Sequence, residues 1–317
     1  MHLQLGNIDH DYRRWLKSYM RHLKYKDIAS NTLETYTRIL DALLDFIRLQ
    51  HKIQMLEEIN KEFILDFIEY QEEHSKKGHF SKSTKQLYIS VLKSFFVYIS
   101  DNNDGFYSFE KEFKISLKSA SKKKKVKYLS DDEVADILNY IEDEKVLRGS
   151  YYDFVYAFSI KLMLFAGLRV SEVLHLRCGD FHISDLCNAV REKDMFEIHL
   201  QDTKSGEEQT ALIKIEDIQE ELAYFQELKH DEAYIFTSAK KDKPLNRSNF
   251  YVSINNLMHK AGITKKGLHI FRHTCAMQLY RKSKDILVTK EKLRHSDIKT
   301  TMIYAHAERS DVAEAMR

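Results

Sequence analysis

Cysteine, long apolar runs and an excess of either charge are all scarce in this sequence. Its three cysteines, Cys178, Cys187 and Cys275, are odd in number, scattered and without a C-x-x-C pair. No disulfide framework is implied, and the pattern fits reduced thiols in a cytosol. No stretch approaches the ~18 apolar residues that cross a bilayer, and no apolar run follows the first charges, so a cytoplasmic protein with no membrane partner is expected. Fifty Lys plus Arg against 48 Asp plus Glu leave a net charge of only +2. A polyanion must therefore be met by a local patch rather than by bulk charge. Total charge neither shows nor excludes nucleic acid.

What is present is globular in character: 43% apolar and 31% charged residues in a chain of 317, long enough for two domains of about 150 residues each. Residues 8 to 103 repeat apolar side chains every three or four positions, which predicts four amphipathic helices with Ser30–Asn31 and Ser81 as N-caps. The pattern then fails. "KISLKSASKKKKVK" (114 to 127) holds seven lysines and no acid, a composition that repels itself into an extended linker. It is either a solvated spacer or a strip laid along a phosphate backbone, where Lys122, Lys123, Lys124 and Lys125 would release counterions.

Beyond the linker, Ser130 with Glu133 forms a capping box that starts a second domain, and a helical run follows from Tyr151 to Gly167. "MFEIHLQDTKSGEEQTALIKI" (195 to 215) alternates on both sides of Ser205-Gly206, a hairpin signal, and the remainder is expected to be helical. The fold class is therefore mainly α, with one small antiparallel β-sheet in the second half.

Chemistry gathers first at "HIFRH" (269 to 273). On a helix starting near Leu268, the residues Leu268, Phe271, Cys275 and Leu279 form a ridge for burial, and His269, Arg272 and His273 share the stripe beside it, expected to border the core. A zinc site is disfavoured: the residue after His269 is Ile270 where a zincin needs Glu, and Arg272 would repel a cation. An anion suits the stripe better, and a phosphodiester best, because charge grows on its non-bridging oxygens during displacement. Taken alone the stripe reads first as an ordinary solvated helix edge, because H-x-x-R is common by chance.

One guanidinium is not enough for that task. "FAGLRVSEVLHL" (165 to 176) supplies Arg169, which interrupts an apolar run and needs a partner, and Glu172 at i+3 could fix its geometry. "LRHSDIKTTMIYAHA" (293 to 307) carries His295 and, nine residues on, Tyr304, a candidate nucleophile that must lose its proton during attack. Lys204 at the hairpin tip is a candidate proton donor for a leaving oxygen.

Together these segments resemble the tyrosine recombinases, or phage-integrase family, and its Xer-type members in particular. "AGLRVSEVLHL" is similar to the first arginine motif, "LHIFRHTCAMQLY" to the H-x-x-R box and "LRHSDIKTTMIYAHA" to the nucleophile block, in the family's order. The resemblance implies a helical, SAM-like core-binding domain over residues 1–113, a lysine-rich linker over 114–128 and a catalytic domain over 129–317. It also implies roles. Arg169 and Arg272 would clamp the scissile phosphate. His269 would bond it or assist proton movement at the nucleophile, and His295 would bond a non-bridging oxygen. Tyr304 would attack to leave a 3′-phosphotyrosine and a free 5′-hydroxyl, and Lys204 would act as general acid. Neither metal nor other cofactor would be needed. The partners implied are a double-stranded DNA recombination site and a tetramer on two duplexes, of one chain or with a related recombinase. The segment "ERSDVAEAMR" would form the tail helix that in relatives docks onto a neighbouring subunit.

Two departures stand out. Glu207 and Glu208 follow Lys204 where relatives commonly carry a basic residue, and Arg294 replaces a common Gly at a point where a left-handed backbone would penalise any side chain. The leading expectation is a Xer-like site-specific recombinase working through a Holliday junction. An integrase or transposase of a mobile element, a type IB topoisomerase, and a catalytically silent DNA-binding protein are the alternatives.

Overall fold

A computed structural model describes residues 8–50, 53–103, 108–109, 126–183, 195–201, 208–238 and 241–315, of which 183, 241–242 and 309–315 are described without their side chains. Lys204, the lysines 122 to 125, Cys187 and the hairpin turn at Ser205-Gly206 lie outside the described residues. The chain forms two compact units, Met1–Lys122 and Lys123–Arg317.

Among the described residues the first unit has four α-helices, as the periodicity predicts: α1 (Ile8–Tyr25), α2 (Ser30–Gln50), α3 (Lys61–Glu73) and α4 (Lys82–Asn102). Ser81 caps α4 by accepting from Thr84 N at 3.1 Å, and Asn60 caps α3 by accepting from Phe63 N at 3.0 Å. Their apolar faces meet in a core of Leu40, Leu43, Phe67, Phe95 and Phe96. Tyr12 is buried there because its hydroxyl donates to Leu40 O at 2.7 Å, so no polar atom is stranded.

In the second unit α5 (Asp131–Arg148) starts at the capping box: Glu133 N donates to Ser130 Oγ, and Ser130 N donates to the Glu133 carboxylate. It ends at Gly149 in the left-handed region. α6 (Tyr151–Phe165) runs through the middle, with Val155, Phe158, Ile160, Leu162 and Met163 all buried. Short α7 (Val170–Leu174) follows, then strands β1 (Phe181–Ile183), β2 (Met195–Leu200) and β3 (Gln209–Lys214) in an antiparallel sheet of order β1-β2-β3. Phe196 pairs with Ile213 and Ile198 with Ala211, so the alternation seen in the sequence is the pleat, with Ile198 and Ile213 buried in the core.

The remainder is α8 (Ile215–Leu228), β4 (Thr237–Ser238), β5 (Lys241–Pro244), α9 (Arg247–Lys260), α10 (His269–Ser283), α11 (Ile286–Leu293) and α12 (Met302–Ala315). The β4–β5 hairpin departs from the expected run of helices. Strands of two and four residues are too short to leave a period in the sequence.

A second correction concerns α10. Its charged stripe was expected to flank the core, yet Arg272 is only 5% exposed, and Thr274, Ala276 and Met277 are buried beside the predicted ridge. His269 stays exposed and His273 half-buried, as the stripe predicts, while the buried residues around Arg272 place its guanidinium inside the protein.

Candidate active site

Three stretches separated in sequence bring guanidiniums to one carboxylate. Arg169 is the N-cap of α7, and Glu172, three positions on, accepts from both its backbone N at 2.7 Å and its Nη1 at 2.6 Å. Glu172 Oε2, the oxygen that takes the Arg169 backbone N, also accepts from Arg294 Nη2 at 2.9 Å and stands 3.8 Å from Arg272 Nη1. Three guanidiniums thus share one buried carboxylate and leave an excess of positive charge there. Such a cluster suits an anion with oxygens of its own.

Arg272 holds this arrangement together through the backbone. Its Nη1 donates to Gly167 O and its Nη2 to Leu293 O, the carbonyls just ahead of the Arg169 and Arg294 segments. A buried guanidinium without acceptors would cost several kcal/mol, and these two carbonyls supply them. Gly167 is required at φ +65°, and a Cβ there would lie 3.1 Å from Leu293 Cδ2 and 3.2 Å from Cys275 Sγ. The turn at Arg294 is left-handed, with φ 53°, despite the side chain that stands there. The bulky residue tolerates that strain while its side chain reaches Glu172, although its Nε has no hydrogen-bond partner.

The phenol of Tyr304, in the first turn of α12, is 1% exposed and packs with Ala276, Met277 and Leu293. Burial pushes its pKa up to about 12 even though Arg272 opposes the shift. The histidine in contact with it is His273, whose Nδ1 lies 2.8 Å from the Tyr304 hydroxyl. Sequence reasoning put His273 on the charged stripe without giving it a role. The i+4 spacing from His269 was the available signal, and it was weighed only for metal. His269 and His273 have ring centroids 6.5 Å apart. His295 follows α11 and is oriented by a 2.9 Å hydrogen bond between Nδ1 and Thr301 Oγ1.

The histidines feel both burial and the guanidiniums. Burial, then Arg247, Arg272 and Arg169, depress the pKa of His269. Burial followed by Arg272 and Arg169 brings His295 to about 4, and burial followed by His269 and Arg272 brings His273 to about 4 as well. All three are therefore neutral at pH 7. Arg272 is lowered by burial and by Arg169 to about 10, which keeps it charged.

The structure thus gathers Arg169, Glu172, Arg272, His295 and Tyr304 around one site, with His269 on the same helix as Arg272. Near it, Lys292 Nζ donates to Leu212 O at 2.6 Å and ties β3, one arm of the hairpin that leads to Lys204, to α11. A separate acidic group, Glu142, Glu220 and Glu221, has the spacing of a metal site. Its oxygens already bind the Lys145 ammonium at 2.5–2.7 Å and, from Glu142 and Glu221, the Lys161 ammonium at 2.7 Å, so it is an ion-pair network centred on buried Lys145 and Glu221.

Comparison with known proteins points the same way. The sequence pattern of the phage integrase family matches residues 127–310, and that of the phage integrase N-terminal SAM-like domain matches residues 16–103. Tyrosine recombinase XerH of Campylobacter jejuni is 29% identical, over 89% of this chain and 77% of that protein. Transposase A of transposon Tn554 from Staphylococcus aureus is 25% identical, over 96% of this chain and 91% of its own length. Among solved structures, XerH site-specific recombinase bound to palindromic difH substrate in a post-cleavage complex is similar in fold, with a TM-score of 0.76 at 21% identity, covering 99% of this chain and 97% of that one.

Proposed function

This chain belongs to the phage integrase family of tyrosine recombinases, and from that premise we propose that it is a Xer-type site-specific recombinase that cuts and rejoins DNA at a defined site. The observation that carries the proposal is the sharing of Glu172 by Arg169 and Arg272, from segments 103 positions apart, beside a buried tyrosine.

In this reading a scissile phosphate enters the cluster and its non-bridging oxygens take the remaining donors of Arg169 and Arg272, with His269 and His295 bonding from the sides. Tyr304 Oη attacks phosphorus, the 3′ end stays on the enzyme as a phosphotyrosine, and the 5′ oxygen leaves with a proton from Lys204. The guanidinium forks stabilise the charge that builds in the five-coordinate transition state. The broken bond's energy is kept in the phosphotyrosine, so neither ATP nor a metal is consumed. Lys122 to Lys125 lie along the DNA backbone, and four protomers, of this chain or with a related recombinase, assemble on two duplexes in the cytoplasm.

Incubation with a nicked suicide duplex carrying a candidate site tests this. Wild-type protein forms a covalent DNA adduct on denaturing gels without magnesium, and Tyr304→Phe forms none. An adduct that survives the substitution moves the nucleophile elsewhere. The similarity to the Tn554 transposase favours one second reading, a mobile-element recombinase, for which the gene would sit inside an element with defined ends.

A further inference from the structure

We infer that His273 is a catalytic residue that accepts the Tyr304 phenolic proton as the phenol oxygen attacks phosphorus; this rests on the recombinase reading above. His273 Nδ1 and Tyr304 Oη are 2.8 Å apart, and their ring centroids are 5.8 Å apart at 57°. Both groups are removed from bulk water: Tyr304 is buried and His273 partly so. The two residues are 31 positions apart, on α10 and α12, so the contact is tertiary and not a product of helical spacing.

With its own proton on Nε2, the neutral imidazole offers Nδ1 as an acceptor and the phenol donates. The charged and titratable groups facing it are the Arg272 guanidinium and His269 on α10, Tyr304 on α12 and His295 after α11. Burial, then His269 and Arg272, keeps the imidazole unprotonated before DNA arrives, so the base form is present at neutral pH. An arriving phosphodiester compensates the guanidiniums and makes an imidazolium at His273 less costly.

The step balances as follows. The Tyr304 Oη–P bond forms while the phenol proton passes to His273 Nδ1. The P–O5′ bond breaks, and the 5′ oxygen leaves with the bond's electron pair and takes a proton from the general acid. On rejoining, the His273 imidazolium returns its proton to the departing phenol oxygen. One residue therefore serves the tyrosine side of both half-reactions.

The test compares full-length wild type, His273→Asn, His273→Gln and Lys204→Ala on two nicked suicide duplexes. One has an ordinary scissile phosphate and the other a bridging 5′-phosphorothiolate, whose sulfur leaves without needing an acid. Single-turnover adduct formation is expected to fall about 10²–10⁴-fold in both His273 variants. The phosphorothiolate is expected to restore Lys204→Ala and to leave the His273 variants slow, because their defect lies on the attacking side. Placing 3,5-difluorotyrosine at position 304, a more acidic phenol, is expected to recover part of the His273→Gln loss, which repair of a misfolded site would not do. The inference is overturned by an active wild type in which His273→Asn or His273→Gln cleaves at the wild-type rate, or in which the phosphorothiolate rescues them as it rescues Lys204→Ala. Absence of any wild-type adduct overturns the recombinase reading and this inference with it.

Discussion

Arg294 donates to Glu172 over 2.9 Å from a position 122 residues further along the chain, and it does so from a left-handed backbone with φ 53°. Burial alone would raise the Glu172 pKa, but Arg294 and the hydrogen bonds from Arg169 outweigh it and hold the carboxyl below its usual range. Strain in the turn and the ion pair therefore oppose each other at one residue.

That opposition predicts different outcomes for two small substitutions. Arg294→Gly relieves the left-handed strain and removes a buried Nε that lacks a partner, while losing the Glu172 bond; these effects are each on the order of 1–3 kcal/mol and opposed. Its unfolding free energy is expected within about 1 kcal/mol of wild type. Arg294→Ala keeps the strain and should be less stable than Arg294→Gly by about 1 kcal/mol. Urea unfolding of the three proteins side by side measures the order, and an alanine variant more stable than the glycine variant would contradict it.

Gly167→Ala is expected to cost about 1–3 kcal/mol, because it combines a positive φ with a Cβ pressed against Leu293 and Cys275. The same shift moves the carbonyl that accepts from Arg272, so adduct formation should slow along with the loss of stability. Thermal melts and single-turnover cleavage of the variant check both parts.

Arg272→Ala should lower stability by about 3–5 kcal/mol, since it strands two buried carbonyls. Duplex binding, measured at fixed salt by anisotropy, should stay within about a few fold where the variant remains folded, because affinity is spread over many phosphate contacts. Cleavage should be lost. A variant that is as stable as wild type would mean those carbonyl contacts do little.

Stability should fall in two acid steps. His273 and His295 titrate near 4 in the folded protein against 6.5 when free, so the unfolded chain binds protons first. Full stability is present above pH 6.5 and declines as pH drops toward 4. Glu172, with its folded pKa below the ordinary 4.5, keeps its contribution above that value and loses it at lower pH still. Denaturant midpoints across pH 7.5 to 4.5 measure the first step, and His295→Gln should flatten part of it.

Much of this protein is written locally. The four helices of the first unit, the Ser130–Glu133 box and the β2–β3 alternation follow from spacings of two to four residues, which fix neighbours whatever the rest of the chain does. The Arg169–Glu172 pair belongs to the same class, because the start of a short helix brings position i+3 back to the cap. That Arg169, Arg272, His295 and Tyr304 belong together came from family resemblance, since nothing in their spacing brings them together. Tertiary packing alone decided that Arg272 is enclosed, that it bonds carbonyls 105 and 21 residues away, that Arg294 turns to Glu172 and that His273 meets Tyr304. Those contacts depend on how separate helices pack, and helical periodicity records which face of a helix is buried without recording what it is buried against.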